Sequence, residues 1–165
     1  MEVWDLYDEN KNVTGKYCLR GEEIPENLYH LVVHVWIKND KGEYLISQRA
    51  EDRPTFPLMW ECVGGSILKG ENSLQGAIRE TKEEVGIDLK KIEGNLVYSK
   101  VRKIKNKNNI MDVWLFKYNG VVELEKATTN EVRDVKWMTK EQIRELFEAD
   151  KLVKTLDYFF RDINI

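Results

Sequence analysis

Cysteine, proline and histidine are all scarce in this sequence. Its 165 residues include two cysteines, three prolines and two histidines. Cys18 and Cys62 form neither a Cys-x-x-Cys pair nor the Cys/His spacing of a zinc site, which argues against a disulfide framework and a thiolate metal centre. We expect both to be small buried hydrophobic side chains in a protein of the reducing cytoplasm.

Long apolar runs and a strong charge excess are also missing. No stretch reaches the roughly 18 consecutive apolar residues that a membrane helix needs. The opening MEVWDLYDEN has neither the cationic nor the apolar segment of a signal peptide. The net charge of -3 offers no bulk attraction for nucleic acid or an anionic membrane. We therefore expect neither a nucleic-acid polymer nor a membrane as partner.

What is present is a globular composition with interleaved strand and helix patterns. The length of 165 residues and the hydrophobic content of 42% fit one domain, residues 1–165. Period-two and apolar runs predict strands, and stripes of period 3.6 predict helices. The predicted strands are 2–8, 31–37, 44–46, 95–104, 110–118 and 132–138, and the predicted helices are 72–85, 139–148 and 151–161.

The order of these segments predicts an α/β (α+β) fold, a mixed sheet with helices on both faces. The punctuation at 39–42 predicts that strands 31–37 and 44–46 form a hairpin. Both alternation faces of 31–37 are apolar, so we expect this strand to be covered on both sides.

The helix predicted over 72–85 carries an unusual concentration of negative charge in the stretch RETKEEVG. Glu80, Glu83 and Glu84 share one face, where each like-charge pair costs a few tenths of a kcal/mol. The apolar stripe runs through Leu74, Ala77, Ile78, Thr81 and Val85, so we expect the carboxylates to lie off the core face. Gly76 costs about 1 kcal/mol relative to alanine inside a helix, which suggests close packing.

Two interpretations of this acidic face stay open at this point. Together with Glu71 at the helix entrance, the carboxylates form an oxygen-rich group of the kind that Mg²⁺ prefers. The alternative is a solvated, ion-paired helix surface without a ligand.

The surrounding residues favour the first interpretation. Residues 65–87 read GSILKGENSLQGAIRETKEEVGI, which resembles the signature of the Nudix (MutT-like) hydrolases: Gly, five residues, Glu, seven residues, Arg-Glu, two residues, Glu-Glu, one residue, Gly, aliphatic. The resemblance implies an α/β/α sandwich in which a loop-helix-loop carries the site. It also implies hydrolysis of a nucleoside diphosphate linked to another group, with Mg²⁺, or alternatively Mn²⁺, as cofactor.

The resemblance also assigns roles to individual residues. It implies that Glu80 and Glu84 bind the metal, with Glu83 either as a further ligand or as a group that supports the ligands. It also implies that Glu71 and Arg79 form a bracing salt bridge and that Gly86 ends the helix. Gly64 and Gly65 would let the backbone approach the pyrophosphate, and Arg49 and Arg53 would contact phosphate. The catalytic candidates are Glu80, Glu83 and Glu131, with Asp112 as a further candidate for the general base.

Residues 2–60 are similar to the branch of this family closest to isopentenyl-diphosphate isomerases, so isomerase activity is the first alternative. That reaction requires a cysteine and a histidine before the helix, where this chain has Gly64 and Ser66. Cys62 lies two residues away, and His30 matches one isomerase metal position. A non-catalytic nucleotide-binding domain is the second alternative. The expected partner is a small nucleoside diphosphate derivative, and a homodimer is left open.

Overall fold

The computed structural model describes residues 1–165. They form nine strands and three α-helices, with short 3₁₀ turns at Leu124–Lys126 and Lys154–Leu156. The strands are β1 (Val3–Tyr7), β2 (Val13–Leu19), β3 (His30–Lys38), β4 (Tyr44–Arg49), β5 (Trp60–Glu61), β6 (Val63–Ser66), β7 (Gly94–Arg102), β8 (Asn109–Lys117) and β9 (Val132–Met138). The helices are α1 (Ser73–Val85), α2 (Lys140–Glu148) and α3 (Tyr158–Arg161).

Seven of the strands form one mixed sheet, and β1 and β2 form a separate antiparallel pair. The order in the large sheet is β5-β4-β3-β8-β7, with β6 beside β3 and β9 beside β4. The central strands β3 and β8 run parallel, and the remaining pairs are antiparallel. None of the helices has the length and apolar character that crossing a membrane would require.

The core lies on both faces of β3. Val33 and Val35 belong to a cluster between the sheet and α1, whereas Trp36 belongs to a second cluster beneath α2 and α3. All three side chains have 0% exposure, which confirms that the strand is covered on both sides. The layers follow the predicted α/β/α order, and burial of these apolar faces is the main source of stability.

The predicted hairpin is wrong beyond its first residue pair. β3 and β4 are in register only at Lys38 and Tyr44, next to the turn. Further along, the same edge of β3 pairs with β6, where Val32 lies opposite Ser66 and Val35 opposite Val63. A strand edge can satisfy its backbone groups with only one neighbour at a time, so β4 diverges and pairs with β5 and β9.

The C-terminal prediction also requires correction. Residues 151–161 contain a β-bridge, a 3₁₀ turn and the four-residue α3 in place of one helix. Trp60 N–H donates to Lys151 O at 2.9 Å, and Val153 N–H donates to Trp60 O at 2.9 Å. These bonds to β5 consume backbone groups that a helix would need, and the sequence pattern alone does not reveal them. Strand β2 was not predicted because six of its seven side chains are exposed.

Helix α1 begins and ends as predicted. Asn72 and Gln75 form a reciprocal capping box, and Gly86 adopts the left-handed conformation at φ 74° while its N–H donates to Lys82 O. Ala77, Thr81 and Val85 are buried, but Leu74 is 37% exposed and does not belong to the core stripe.

Gly76 lies where α1 packs most closely against the preceding loop. A Cβ atom built on it would be 2.1 Å from Ile67 Cδ1 and 3.0 Å from Glu71 Oε2. Ile67 is itself buried. The glycine therefore allows an approach that any side chain would prevent.

We expect Gly76→Ala to lower the free energy of unfolding by roughly 1 kcal/mol, because overpacking costs about 1–3 kcal/mol and the helix-propensity gain is only about 1 kcal/mol. Urea denaturation measures the change. In an Ile67→Val background the clashing methyl is absent, so the same substitution should be neutral or stabilising. An identical loss in both backgrounds would contradict this account.

Candidate active site

Arg79 connects the acidic residues of the signature. Its Nε lies 2.7 Å from Glu71 Oε1, and its Nη1 lies 2.9 Å from Glu80 Oε1 and 3.1 Å from Glu83 Oε2. Its Nη2 donates to the Ser66 carbonyl at 3.0 Å. The expected Glu71–Arg79 salt bridge is present, and the same guanidinium also contacts two further carboxylates on α1.

The turn at Gly64 and Gly65 brings the backbone against both α1 and β3. A Cβ atom on Gly65 would lie 2.2 Å from the Glu80 carboxylate, and one on Gly64 would lie 2.8 Å from Val33 O. A side chain on Gly64 would meet the backbone of β3, and a side chain on Gly65 would displace the Glu80 carboxylate from its position. These glycines therefore set the distance between the turn, the helix and the central strand, while their contact with a pyrophosphate stays a prediction.

Glu80 and Glu84 are buried, contrary to the expectation that the carboxylates lie off the covered face. Their exposures are 8% and 5%. Burial raises the pKa of Glu84 well above its usual range, and repulsion by Glu61, Glu80 and Glu131 adds to the increase. Glu84 Oε2 has no hydrogen-bond partner. This carboxylate is therefore an uncompensated acceptor inside the protein.

Glu61 belongs to the same acidic group and was missed at the sequence level. It extends from β5, and its Oε1 lies 2.8 Å from Arg49 Nη1. Burial raises its pKa, Arg49 opposes that increase, and Glu131 adds to it. The one available signal was an acidic residue in the otherwise apolar WECV run directly before Gly64.

The remaining predicted residues come together across the neighbouring loop. Arg53 Nη2 lies 2.9 Å from Glu131 Oε2, and the Ala50 N–H donates to Glu131 O at 2.9 Å. Arg53 Nε is buried without a partner. Arg49 and Arg53 thus each pair with a carboxylate of the site, and their contact with phosphate stays a prediction.

The donor set fits a hard divalent cation by its chemistry. All of the donors are carboxylate oxygens, several repel one another, and Glu84 Oε2 has no partner. The side chains do not form a ready cluster of three ligands, and Arg79 contacts oxygens of Glu80 and Glu83.

Asp112 is separate from this group. It is fully buried, and its two oxygens accept from Lys11 Nζ at 2.7 and 2.9 Å and from Ser99 Oγ at 2.6 Å. These bonds attach the turn between β1 and β2 to the large sheet. Asp112 is therefore occupied by a structural ion pair, and its role as a general base stays an untested prediction.

Concavity alone does not identify the site. The largest cavity, of about 650 Å³, lies between the loop at 23–26 and the hairpin tip at 103–108. No residue of the signature lines it. The candidate site is defined by the carboxylates and their environment.

Comparison with known proteins supports this assignment. The NUDIX domain family model matches residues 28–162, which includes the whole glycine turn and acidic helix. The chain belongs to the Nudix family. An uncharacterised Nudix hydrolase from Listeria innocua is 39% identical, over 97% of this chain and 91% of the relative. Nudix hydrolases of this kind cleave pyrophosphate bonds, and the chain is a hydrolase of that family.

Two further proteins show which branch of the Nudix family is similar to this chain and which fold it shares. Isopentenyl-diphosphate Delta-isomerase I from Camptotheca acuminata is 32% identical, over 86% of this chain and 68% of the relative. The crystal structure of DR0079 from Deinococcus radiodurans superposes with a TM-score of 0.75 at 22% identity, covering 93% of each chain. The first places the Nudix chain beside the isomerase branch, and the second shows the shared fold.

The ionisation of Glu80 provides a test of the buried site. Burial raises its pKa from 4.5 to about 7, although Arg79 opposes the increase. Between pH 4.5 and pH 7, Glu80 is protonated in the folded chain and ionised in the unfolded chain. In EDTA, we therefore expect the Glu80 contribution to the free energy of unfolding, measured as the difference between the wild type and Glu80→Gln, to fall by about 3 kcal/mol as pH rises from 4.5 to 7 and to level off above that.

Urea denaturation at successive pH values measures this slope. Glu80→Gln should remove this contribution from the dependence of the free energy of unfolding on pH. The control Glu148→Gln, on the exposed side of α2, should leave that dependence unchanged. Equal slopes for the wild type and Glu80→Gln would show that Glu80 titrates normally.

Proposed function

We propose that this Nudix hydrolase cleaves the pyrophosphate bond of a nucleoside diphosphate linked to another group, with Mg²⁺, or alternatively Mn²⁺, held by Glu80, Glu83 and Glu84. The observation that carries the proposal is the buried Glu84 carboxylate, whose Oε2 has no partner among three neighbouring acids. Leaving such a group uncompensated costs several kcal/mol. A bound cation would remove that cost.

Different side chains would bind the phosphates and accept the proton. When bound, the cation would neutralise phosphate charge and lower the pKa of a bound water. Arg49 and Arg53 border the same site and offer guanidinium donors suited to phosphate oxygens. Glu80, Glu83 and Glu131 are the candidates for accepting a proton from the attacking water. Positioning and charge neutralisation are the principal demands of phosphoryl transfer.

The isomerase relative makes proton transfer on isopentenyl diphosphate the alternative to be tested. Gly64 and Ser66 occupy the positions where the isomerase resemblance requires a cysteine and a histidine. Cys62 cannot substitute for that cysteine, because it is 2% exposed on the face beneath α3 and burial raises the pKa of its thiol well above the usual range. The arrangement therefore supports hydrolysis.

Product analysis with purified protein, Mg²⁺ and a substrate panel tests the proposal. The panel contains nucleoside triphosphates, nucleotide sugars, ADP-ribose and isopentenyl diphosphate. We expect a nucleoside monophosphate and a second phosphorylated product from at least one nucleotide. Isomerised diene without nucleotide hydrolysis would establish the alternative, and nucleotide binding without any turnover would indicate a non-catalytic domain.

Glu84→Gln should reduce the rate of hydrolysis at least about 100-fold while the protein stays folded, because it removes the charge that the cation needs. The matched substitution Glu148→Gln, on the exposed side of α2, should leave the rate unchanged. Turnover of Glu84→Gln at the wild-type rate under limiting Mg²⁺ would contradict a ligand role for Glu84.

A further inference from the structure

The face of the sheet beneath α3 carries polar side chains that the hydrolytic site does not use. One row across four strands consists of Tyr98, Val113, His34 and Gly64, as the strand registers show. Side chains four residues apart in a strand point to the same face. The row of Arg102, Asn109 and His30 therefore lies on that face too, roughly 13 Å away.

Arg102 is a half-buried cation without a carboxylate partner. Its Nε donates to Asn109 Oδ1 at 2.6 Å, and no acidic side chain in the protein forms an ion pair with it. Burial lowers the pKa of its guanidinium, which Tyr158 partly offsets. The two terminal nitrogens of this half-buried side chain form no hydrogen bond within the protein and remain available as donors. A planar guanidinium in this condition is suited to a phosphate group, which can accept two parallel bonds.

His30 supplies a second group without a partner. Its ring stacks on Trp4 at 4.4 Å between centroids and is 8% exposed, and its Nδ1 has no hydrogen-bond partner. Burial lowers the pKa of His30 to about 4, and repulsion by Arg102 contributes. His30 is therefore neutral at pH 7, and Arg102 provides the positive charge.

The other groups facing Arg102 do not neutralise it. His34 also feels the charge of Arg102, and burial lowers its pKa to about 3. Its Nδ1 lies 2.8 Å from the Tyr158 hydroxyl, which also accepts from Trp36 Nε1 at 2.9 Å. Burial keeps the pKa of Tyr158 well above its usual range. The guanidinium is thus the one charged group among these side chains.

The glycine turn connects this face with the carboxylates. A Cβ atom on Gly64 would lie 3.2 Å from His34 Cδ2, whereas one on Gly65 would lie 2.2 Å from the Glu80 carboxylate. Two successive residues therefore contact the two regions from opposite sides. The row of Gly64 and His34 lies roughly 13 Å from the row of Arg102, so only an extended ligand would reach both the acidic group and Arg102.

We propose that Arg102 and His30 form a binding subsite for a phosphate group located outside the scissile pyrophosphate. The assignment of that phosphate to the substrate rests on the proposed hydrolase function. It narrows the substrate class to nucleoside diphosphate derivatives that carry an additional phosphate on the attached group or on the nucleoside.

Titration with inorganic phosphate in EDTA tests the subsite without metal and without turnover. The readout is the ¹H–¹⁵N signal of the Arg102 Nε–H group, with a parallel titration by acetate at equal ionic strength. We expect a saturable shift with phosphate and a much weaker response to acetate. Absence of a shift, or equal binding of acetate, would overturn the assignment.

Binding constants from calorimetry separate Arg102 from the other cations. Arg102→Gln should weaken phosphate binding at least about tenfold, in line with the loss of a charged hydrogen bond, while Arg20→Gln in the exposed turn after β2 should have no effect. Phosphate binding by Arg102→Gln at the wild-type affinity would place the anion elsewhere and refute the proposal.

Two conservative variants distinguish a loss of phosphate binding from a folding defect. Arg102→Lys retains the charge but loses the planar fork, so we expect intermediate affinity. His30→Phe preserves the stacking on Trp4 and removes the nitrogen, so we expect weaker phosphate binding with an unchanged thermal midpoint. Wild-type affinity in both variants would contradict the subsite. Because none of these measurements requires hydrolysis, they can fail or succeed independently of the proposed function.

Discussion

The ion pairs of Arg79 are the interaction on which the geometry of the acidic site depends. One guanidinium contacts Glu71 before the helix, Glu80 and Glu83 within it, and the carbonyl of Ser66 in the preceding turn. A buried carboxylate without a compensating cation costs several kcal/mol. Arg79 therefore allows Glu80 to be held against the Gly65 backbone, and the absence of a side chain on Gly65 provides the space.

Arg79 compensates only part of the negative charge of the site, and the uncompensated part would favour the binding of a cation. Glu84 has no ion-pair partner, and its neighbours Glu61, Glu80 and Glu131 all raise the pKa of its carboxyl group. Sites that break local rules of stability are commonly the functional ones. The protein thus maintains an unfavourable charge arrangement at α1 that a cation would relieve, while its two hydrophobic clusters supply the stability that tolerates it.

The sequence was most informative where structure is determined locally. Asn72, Gln75 and Gly86 define the ends of α1 through capping and backbone geometry, and the apolar run of β3 indicates a strand buried on both faces. The partner of each strand depends on long-range competition, so the extent of the β3–β4 pairing and the bridge at Leu152 could not be read from periodicity. The signature indicated Glu80 and Glu84 as candidate metal ligands, and this role stays a prediction. Glu61 and Arg102 lie outside it, and only the register of the sheet brings them near functional groups.

The end of α1 also determines how Glu131 can move. The Glu83 carbonyl accepts from the backbone N–H groups of Thr128 and Thr129 at 3.0 and 3.1 Å, and from the Thr129 hydroxyl at 3.1 Å. Glu131 follows two residues later. The helix that carries the candidate metal ligands therefore also anchors the loop that carries a candidate base. Glu131 also pairs with Arg53 and its carbonyl accepts from the Ala50 N–H, so α1, the segment that carries Glu131 and the loop that carries Arg53 should move together as one unit.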